Sequence, residues 1–203
     1  YAVAAATWLG GEAQAGYEYP NRTYVTRFEH VADMQACVDC HDPHSQRVDP
    51  QACSPCHLNV VDWSDLVNIR TSDADFDGDG DNQEGLAGEI ETMQAELYAA
   101  MQSYASQVTD ASLAYVLDGP PYYVNDTNGN GQADGDEINF GNSYSTWTPR
   151  LLQAAYNYHF SFQDPGHYAH NGLYVLQLLY DSLDDLGQKV SVDINRPLRP
   201  TSQ

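Results

Sequence analysis

The four cysteines of the chain lie in one short stretch, CVDCHDPHSQRVDPQACSPCH, which contains two copies of Cys-x-x-Cys-His. This motif is typical of covalent c-type haem attachment, in which two thiols form thioethers to the porphyrin and the adjacent histidine binds the iron. One helical turn between the cysteines places both sulfurs along one edge of the ring. The sequence therefore predicts two haems per chain. The predicted attachment residues are Cys37, Cys40 and His41 for haem 1 and Cys53, Cys56 and His57 for haem 2.

Two other uses of the cysteines are open at this point. Two Cys-x-x-Cys pairs separated by twelve residues also fit a four-cysteine zinc ribbon. Two local disulfides are a further alternative, although bridges that close such short loops constrain the unfolded chain very little. The histidine directly after each second cysteine has no role in either alternative, and it favours haem.

A second histidine for each iron has to come from elsewhere in the chain. Five further histidines are available: His30, His44, His159, His167 and His170. We prefer His30, His44 and His170 as distal candidates and expect His159 and His167 at the surface or supporting a ligand. Because His44 follows His41 by three residues, it suits haem 2 or a neighbouring chain better than haem 1. An iron held by two imidazoles has no open position, so it holds and passes one electron.

Two acidic stretches, DADFDGDGDNQE and DTNGNGQADGDE, match the calcium loops of EF-hands. We number loop one from Asp73, because a register from Asp75 places Gly80 at the turn but Leu86 where a bidentate glutamate is needed. The predicted ligands are Asp73, Asp75, Asp77, Asp79, Asp81 and Glu84 in loop one, and Asp126, Asn128, Asn130, Gln132, Asp134 and Glu137 in loop two. A pair of solvated acidic turns is the alternative. Pro120-Pro121 forbids a regular helix leading into loop two, so we expect two structural calcium ions and no calcium switch.

Amphipathic helices must position these sites. Apolar residues at helical spacing predict one helix through Ile90, Met93, Leu97, Met101 and Tyr104, whose methionines are less favoured axial ligands. Thr148-Pro149 predicts the start of a second helix, and a third is expected from Asn171 to Gly187. We also expect a short helix from Phe28 to Met34 that leads into haem 1.

The predicted fold is mainly α with long irregular loops: a covalent dihaem core, two EF-hand-like calcium loops, and amphipathic helices packed around them. Four segments are expected: an N-terminal arm or edge segment (1–27), a dihaem-binding segment (28–70), a calcium-loop and helical segment packed on the haems (71–190), and an extended tail (191–203). The first segment could dock on another subunit or pack as a strand on its own domain.

The charge of the chain restricts its partners and location. The chain has 8 basic and 29 acidic residues and a formal charge of -21, which argues against nucleic acid or an anionic membrane surface. No apolar run is long enough for a membrane span. Haem attachment, calcium loops and a first residue other than Met lead us to expect a mature exported protein, extracellular or at the cell surface, otherwise periplasmic.

The motif CHDPH and the ending AHNGLYVLQLLYDSLDDLG resemble the extracytoplasmic multihaem c-type cytochromes of long-range electron transfer. The resemblance covers about residues 30–57 and 149–187. It implies His41 and His57 as proximal ligands, with a remote histidine completing each iron. The chain departs from most members of this family in having only two haem motifs.

We therefore predict a secreted electron carrier and not an enzyme, which exchanges electrons with redox proteins or extracellular acceptors. It could polymerise into a helical conductive filament or act as a monomeric shuttle. A dihaem peroxidase-like oxidoreductase with one open haem is an alternative, as is a calcium-stabilised surface-layer or adhesion protein.

Overall fold

The computed structural model of the chain describes residues 2–70 and 72–201, and three long helices form its core. Tyr1, Thr71, Ser202 and Gln203, which fall in the predicted N-terminal, calcium-loop and tail segments, lie outside the described residues. The helices are α1 (Ala2–Leu9), α2 (Cys37–Cys40), α3 (Pro50–Cys53), α4 (Leu86–Thr109), α5 (Pro149–Gln163) and α6 (His167–Gly187); the strands are β1 (Leu113–Tyr115) and β2 (Tyr123–Asn125). Helix α6 contacts α1, α4 and α5.

The helix predicted from the apolar periodicity around Met93 is confirmed as α4. All five residues of the predicted stripe are buried in the main hydrophobic cluster, together with side chains from α5 and α6. Met93 and Met101 belong to this cluster. Their thioethers therefore pack in the protein core, and this speaks against methionine as an axial ligand.

The starts of α5 and α6 follow the predicted capping chemistry. The Thr148 hydroxyl accepts the N–H of Leu151 at 3.2 Å, and Pro149 occupies the first turn. Helix α6 begins at His167, one turn earlier than expected, but Asn171 interrupts it with non-helical angles (φ -168°, ψ 70°). The Asn171 side chain accepts the N–H of Tyr174 at 3.2 Å and so caps the longer part of the helix.

The N-terminal segment does not begin as the strand predicted for it, whereas its docking on another subunit stays a prediction. Its alanine-rich start forms α1, and the segment packs along α6 of the same chain. The Asn157 side-chain amide holds the main chain of Tyr17 with two hydrogen bonds, of 2.7 and 3.0 Å. Trp8 and Phe28 are also joined through their main chains at 2.9 Å.

The predicted helix from Phe28 to Met34 is absent from the described structure. The chain turns sharply there, with Asp33 at φ 72° and a hydrogen bond of 3.0 Å from the Met34 N–H to the Val31 carbonyl. So short a helix has little intrinsic stability, and the Phe28 main chain bonds to Trp8 instead.

The remaining elements frame the acidic loops. Strands β1 and β2 form an antiparallel hairpin, and β2 leads directly into loop two, so no helix precedes this loop, as Pro120-Pro121 predicted. The tail after Val190 is irregular, and its Leu198 N–H donates to the Phe76 carbonyl of loop one at 2.7 Å. No helix in residues 2–70 or 72–201 is long and apolar enough to cross a bilayer.

Candidate haem-binding site

Both Cys-x-x-Cys-His motifs form the same closed turn. The His41 N–H donates to the Cys37 carbonyl at 2.8 Å, and the His57 N–H donates to the Cys53 carbonyl at 2.9 Å. Each bond closes one helical turn of main chain between the first cysteine and the histidine of the motif. This is the local arrangement that thioether attachment with an adjacent iron ligand requires.

The two motifs approach each other at Cys40 and Cys53, whose thiols are half-buried, while Cys37 and Cys56 are exposed. Burial raises the pKa of Cys40 above its usual range, and the nearby Cys53 and Asp39 raise it further. Burial and Asp49 likewise raise the pKa of Cys53. Two groups attached at these motifs would therefore be neighbours.

The structure does not favour the zinc or disulfide alternatives. All four cysteines are unpaired thiols. Within residues 2–70 and 72–201, the sets of three or more His, Cys, Asp or Glu ligand atoms close enough to share a metal include no cysteine. A zinc ribbon needs four such sulfurs around one ion.

His41 has a partner imidazole from the far end of the chain. The ring centres of His41 and His170 lie 6.1 Å apart, with an interplanar angle of 38°. Histidine nitrogens bind metals at about 2 Å, so two imidazoles on opposite faces of one iron have ring centres roughly 6 Å apart. The Nδ1 atoms are engaged elsewhere, that of His41 with the Gln46 carbonyl at 2.9 Å and that of His170 with Asp164 at 2.7 Å. Nε2 is then the nitrogen available to a metal on both rings.

His57 has a similar neighbour. Its ring centre lies 5.9 Å from that of His30, with an interplanar angle of 65°. Desolvation lowers the pKa of His30, and the charge of His57 lowers it further. The neutral imidazole, which is the form that binds a metal, is favoured as a result.

The other three histidines lie in different surroundings. His44 is exposed in the turn after α2, where its N–H donates to Asp42. His159 contacts the Tyr115 hydroxyl at 2.8 Å, and His167 contacts the Asp164 carbonyl at 2.7 Å. Burial lowers the pKa of both His159 and His167.

Asp164 also belongs to this site, although the sequence did not predict it. Its carboxylate is buried and holds Nδ1 of His170, which orients the ring and makes it a stronger donor. The spacing of six residues across Pro165 and Gly166 matches no common motif. The signal available in the sequence was a single acidic residue just before a helix that begins with histidines.

Residues 28–63, which contain both Cys-x-x-Cys-His motifs and are called the haem segment below, leave apolar side chains uncovered. Val38, Leu58, Val61 and Trp63 expose between 52% and 83% of their surface. The three hydrophobic clusters of the described residues contain no member from residues 28–63. Porphyrin faces would supply apolar surface here, so the residues present fit two covalently attached haems.

The acidic loops share one backbone geometry. In loop two, the Asp126 carboxylate accepts the N–H groups of Gly129 and Gly131 at 2.7 and 2.9 Å. In loop one, Asp75 accepts those of Gly78 and Gly80 at 2.7 and 3.0 Å. Loop one therefore follows the register from Asp75.

The remaining predicted ligands differ in their surroundings. Asp73 and Asp81 are exposed, outside the carboxylate clusters of the described residues. In loop two, Asp134 accepts from the amides of Asn128 and Asn130, and buried Glu137 accepts from Thr127. The Gln132 N–H donates to Asn130 at 2.8 Å.

Comparison with known proteins gives distant relatives. No protein-family model and no solved structure matches the chain. The chain is similar to the C-type polyheme cytochrome OmcB of Geobacter sulfurreducens, with 25% identity in two strains over 86% of the chain and 26% of the relative. It is also similar to the C-type polyheme cytochrome OmcC of the same species, with 27% identity over 83% of the chain and 24% of the relative. The chain thus spans about a quarter of the length of the curated relatives it matches.

Proposed function

We propose that this chain is an electron-transfer module with two neighbouring c-type haems, each bound through two histidines. Cys37, Cys40, His41 and His170 hold haem 1; Cys53, Cys56, His57 and His30 hold haem 2. The observation that carries the proposal is the pairing of each motif histidine with a second imidazole at the separation that two ligands of one iron require. Similarity to polyheme cytochromes supports it independently.

The bound haem supplies one-electron chemistry, and the residues of the chain restrict it to that. With His30 and His170 as second ligands, the irons would keep no open position for a substrate such as peroxide. Gln46 and Asp164 fix the rings of His41 and His170 through Nδ1. Rigid ligands keep structural change small when the charge of the iron changes, which suits an electron carrier better than a peroxidase.

Optical and electron paramagnetic resonance spectra of the holoprotein test this proposal. We expect two low-spin irons, and denatured protein whose mass includes two covalent haems. Replacement His170→Ala should convert one iron to a high-spin form, and His30→Ala should convert the other. His44→Ala is the matched control from the same segment and should change neither. Two low-spin irons in both the His30 and His170 variants would contradict the assignment.

The proposal extends to the assembly of several chains and to the redox partners that accept their electrons. Exposed apolar side chains away from the motifs, such as Phe140, Leu152 and Tyr156, are compatible with contact between chains, as an extracellular filament or a complex with a redox partner would need. Because His30 and His170 complete both irons within one chain, such a filament would not depend on ligands exchanged between chains. Electron microscopy of native secreted material tests this point: continuous filaments support assembly, and single particles at high concentration with calcium contradict it.

A further inference from the structure

Five carboxylates converge where loop one meets the first turn of α4. They form two overlapping sets whose oxygens lie within 4.8 Å of one another: Asp75, Asp77 and Glu89, and Asp77, Asp79 and Glu84. Asp77 and Glu89 are fully buried. So many negative groups at such separations repel one another strongly unless a cation lies among them.

Hydrogen bonds satisfy one of the buried carboxylates. Glu89 Oε2 accepts the N–H groups of Phe76 and Asp77 at 2.7 and 2.9 Å, and its Oε1 pairs with Arg70 at 2.5 Å. Glu89 occupies the place that Glu137 has in loop two, where Glu137 accepts the N–H of Thr127. Glu89 of α4 therefore holds the start of loop one as Glu137 holds the start of loop two, and both of its oxygens are already engaged.

Two other buried oxygens have no such partner. Asp77 Oδ2 and Glu84 Oε1 are inaccessible to solvent and have no hydrogen-bond partner within the described part of the chain. A buried carboxylate oxygen without a donor carries a large desolvation cost. Both residues belong to the second set of converging carboxylates, and a metal ion bound by their free oxygens would remove this cost.

A basic side chain contacts these carboxylates from one side. Arg70 contacts Glu89 and the Glu84 carbonyl, so its charge is directed to the edge of the cluster.

We propose that loop one binds one calcium ion through the carboxylates of Asp75, Asp77, Asp79 and Glu84, with Glu89 as a positioning residue. Calcium accepts several carboxylates in flexible geometry, whereas magnesium prefers to keep bound waters. In this register Asp81 stands at the position that contributes a main-chain carbonyl. Asp73 then lies outside the site.

The site would connect three parts of the molecule. Glu89 belongs to α4, the other carboxylates belong to loop one, and the tail crosses the loop through the bond from Leu198 to Phe76. The backbone at Gly78 lies so close to Arg196 that a Cβ there would be 2.2 Å from the Arg196 carbonyl oxygen. A bound ion would therefore stabilise the contact of the tail with the helical core.

Calorimetric titration of the chelator-treated holoprotein with calcium chloride, together with metal analysis, tests the site. A Glu137→Gln background weakens any calcium binding at loop two, because it removes the charge of the predicted bidentate glutamate. We expect Asp77→Asn and Glu84→Gln each to weaken calcium binding to loop one at least about tenfold, because each removes a charged ligand. Asp73→Asn and Asp81→Asn are matched controls in the same loop and should bind as the parent does. Loss of binding in Asp73→Asn with retention in Asp77→Asn would overturn the assignment, as would the absence of binding in the parent.

Thermal melting separates a ligand role from a structural role. In chelator, Asp77→Asn and Glu84→Gln should melt at or above the temperature of the parent, because each variant removes repulsion. Calcium should raise the melting temperature of the parent and of Asp73→Asn but not of the two ligand variants. If the variant at buried Asp77 does not fold, the variant at half-exposed Glu84 still provides the measurement. A calcium-induced rise in Glu84→Gln equal to that of the parent would contradict the proposal.

Discussion

A single buried carboxylate organises the environment of one candidate iron ligand. Burial alone would raise the pKa of Asp164, but its hydrogen bonds with His170, Gly166 and Thr7 and the charge of His170 outweigh burial and lower it. The carboxylate is therefore ionised, and it holds Nδ1 of His170 at 2.7 Å. Such a partner raises the basicity of an imidazole and stabilises the more oxidised metal.

In the dihaem site that we propose, replacement Asp164→Asn should raise the reduction potential of haem 1 and leave that of haem 2 unchanged. The amide is a weaker acceptor than the carboxylate, so His170 donates less strongly and the oxidised iron loses stabilisation. A spectroelectrochemical titration that resolves the two irons measures the effect. Asp136→Asn, an exposed position in loop two, is the control. Equal shifts of both potentials would contradict a specific contact with His170.

The residues of the site were predictable to the extent that their chemistry is local in sequence. The two Cys-x-x-Cys-His motifs form the expected turns because every contact lies within five residues. The partners of His41 and His57 could be named as candidates but not paired, since pairing depends on how α6 packs. The register of loop one was predicted wrongly for the same reason, because Glu89 contacts the loop from α4 and lies outside the twelve-residue motif.

At the scale of elements, the N-terminal segment is fixed to α6 at the kink next to His170. Gly10 has φ 54°, and a Cβ there would lie 2.3 Å from the Val25 carbonyl oxygen and 2.7 Å from the Asn171 amide. The Asn171 amide also donates to the Thr26 carbonyl at 2.9 Å. Only a residue without a side chain allows this close approach.

Replacement Gly10→Ala should destabilise the protein by about 3 kcal/mol, since left-handed strain and overpacking each cost roughly 1–3 kcal/mol. Chemical denaturation of the holoprotein, with the slope of the transition compared between variants, measures the change. Gly187→Ala is the matched control, because its added Cβ would make an ordinary contact at 3.6 Å with Val192. A loss below about 0.5 kcal/mol in Gly10→Ala, the range of surface substitutions, would show that the segment is not held as described.

Apolar periodicity predicted the helices whose own side chains form the core. It did not predict the segments whose conformation depends on contacts with another part of the chain. Helices α4, α5 and α6 carry apolar stripes that bury one another, and each was identified from sequence. The apolar residues from Phe28 to Met34 have helical spacing, but no apolar surface in the described part of the chain packs against them. The main chain of Phe28 bonds to Trp8 instead. The N-terminal segment was misassigned because small apolar residues suit strand and helix alike until a packing partner is known.

At the scale of the whole molecule, packing is uneven. The helical part, from α4 to α6, holds the main cluster of buried apolar residues, whereas residues 28–63 contribute none to it. The haem segment thus consists of turns and very short helices. It contacts the helical core on one side, and in our proposal the attached haems stabilise it on the other. Its order should depend on haem attachment, while that of the helices should not.

Limited trypsin digestion tests this dependence with two internal sites. Arg47 lies exposed between the two motifs, and Arg150 lies in the first turn of α5. In protein produced without haem attachment, cleavage at Arg47 should be at least about tenfold faster than in the holoprotein, because cleavage follows the population of locally open states. Cleavage at Arg150 should change little, since its side chain binds Asp185 of α6 at 3.0 Å within the helical core. Equal rates at Arg47 with and without haem would mean that the polypeptide alone orders this segment.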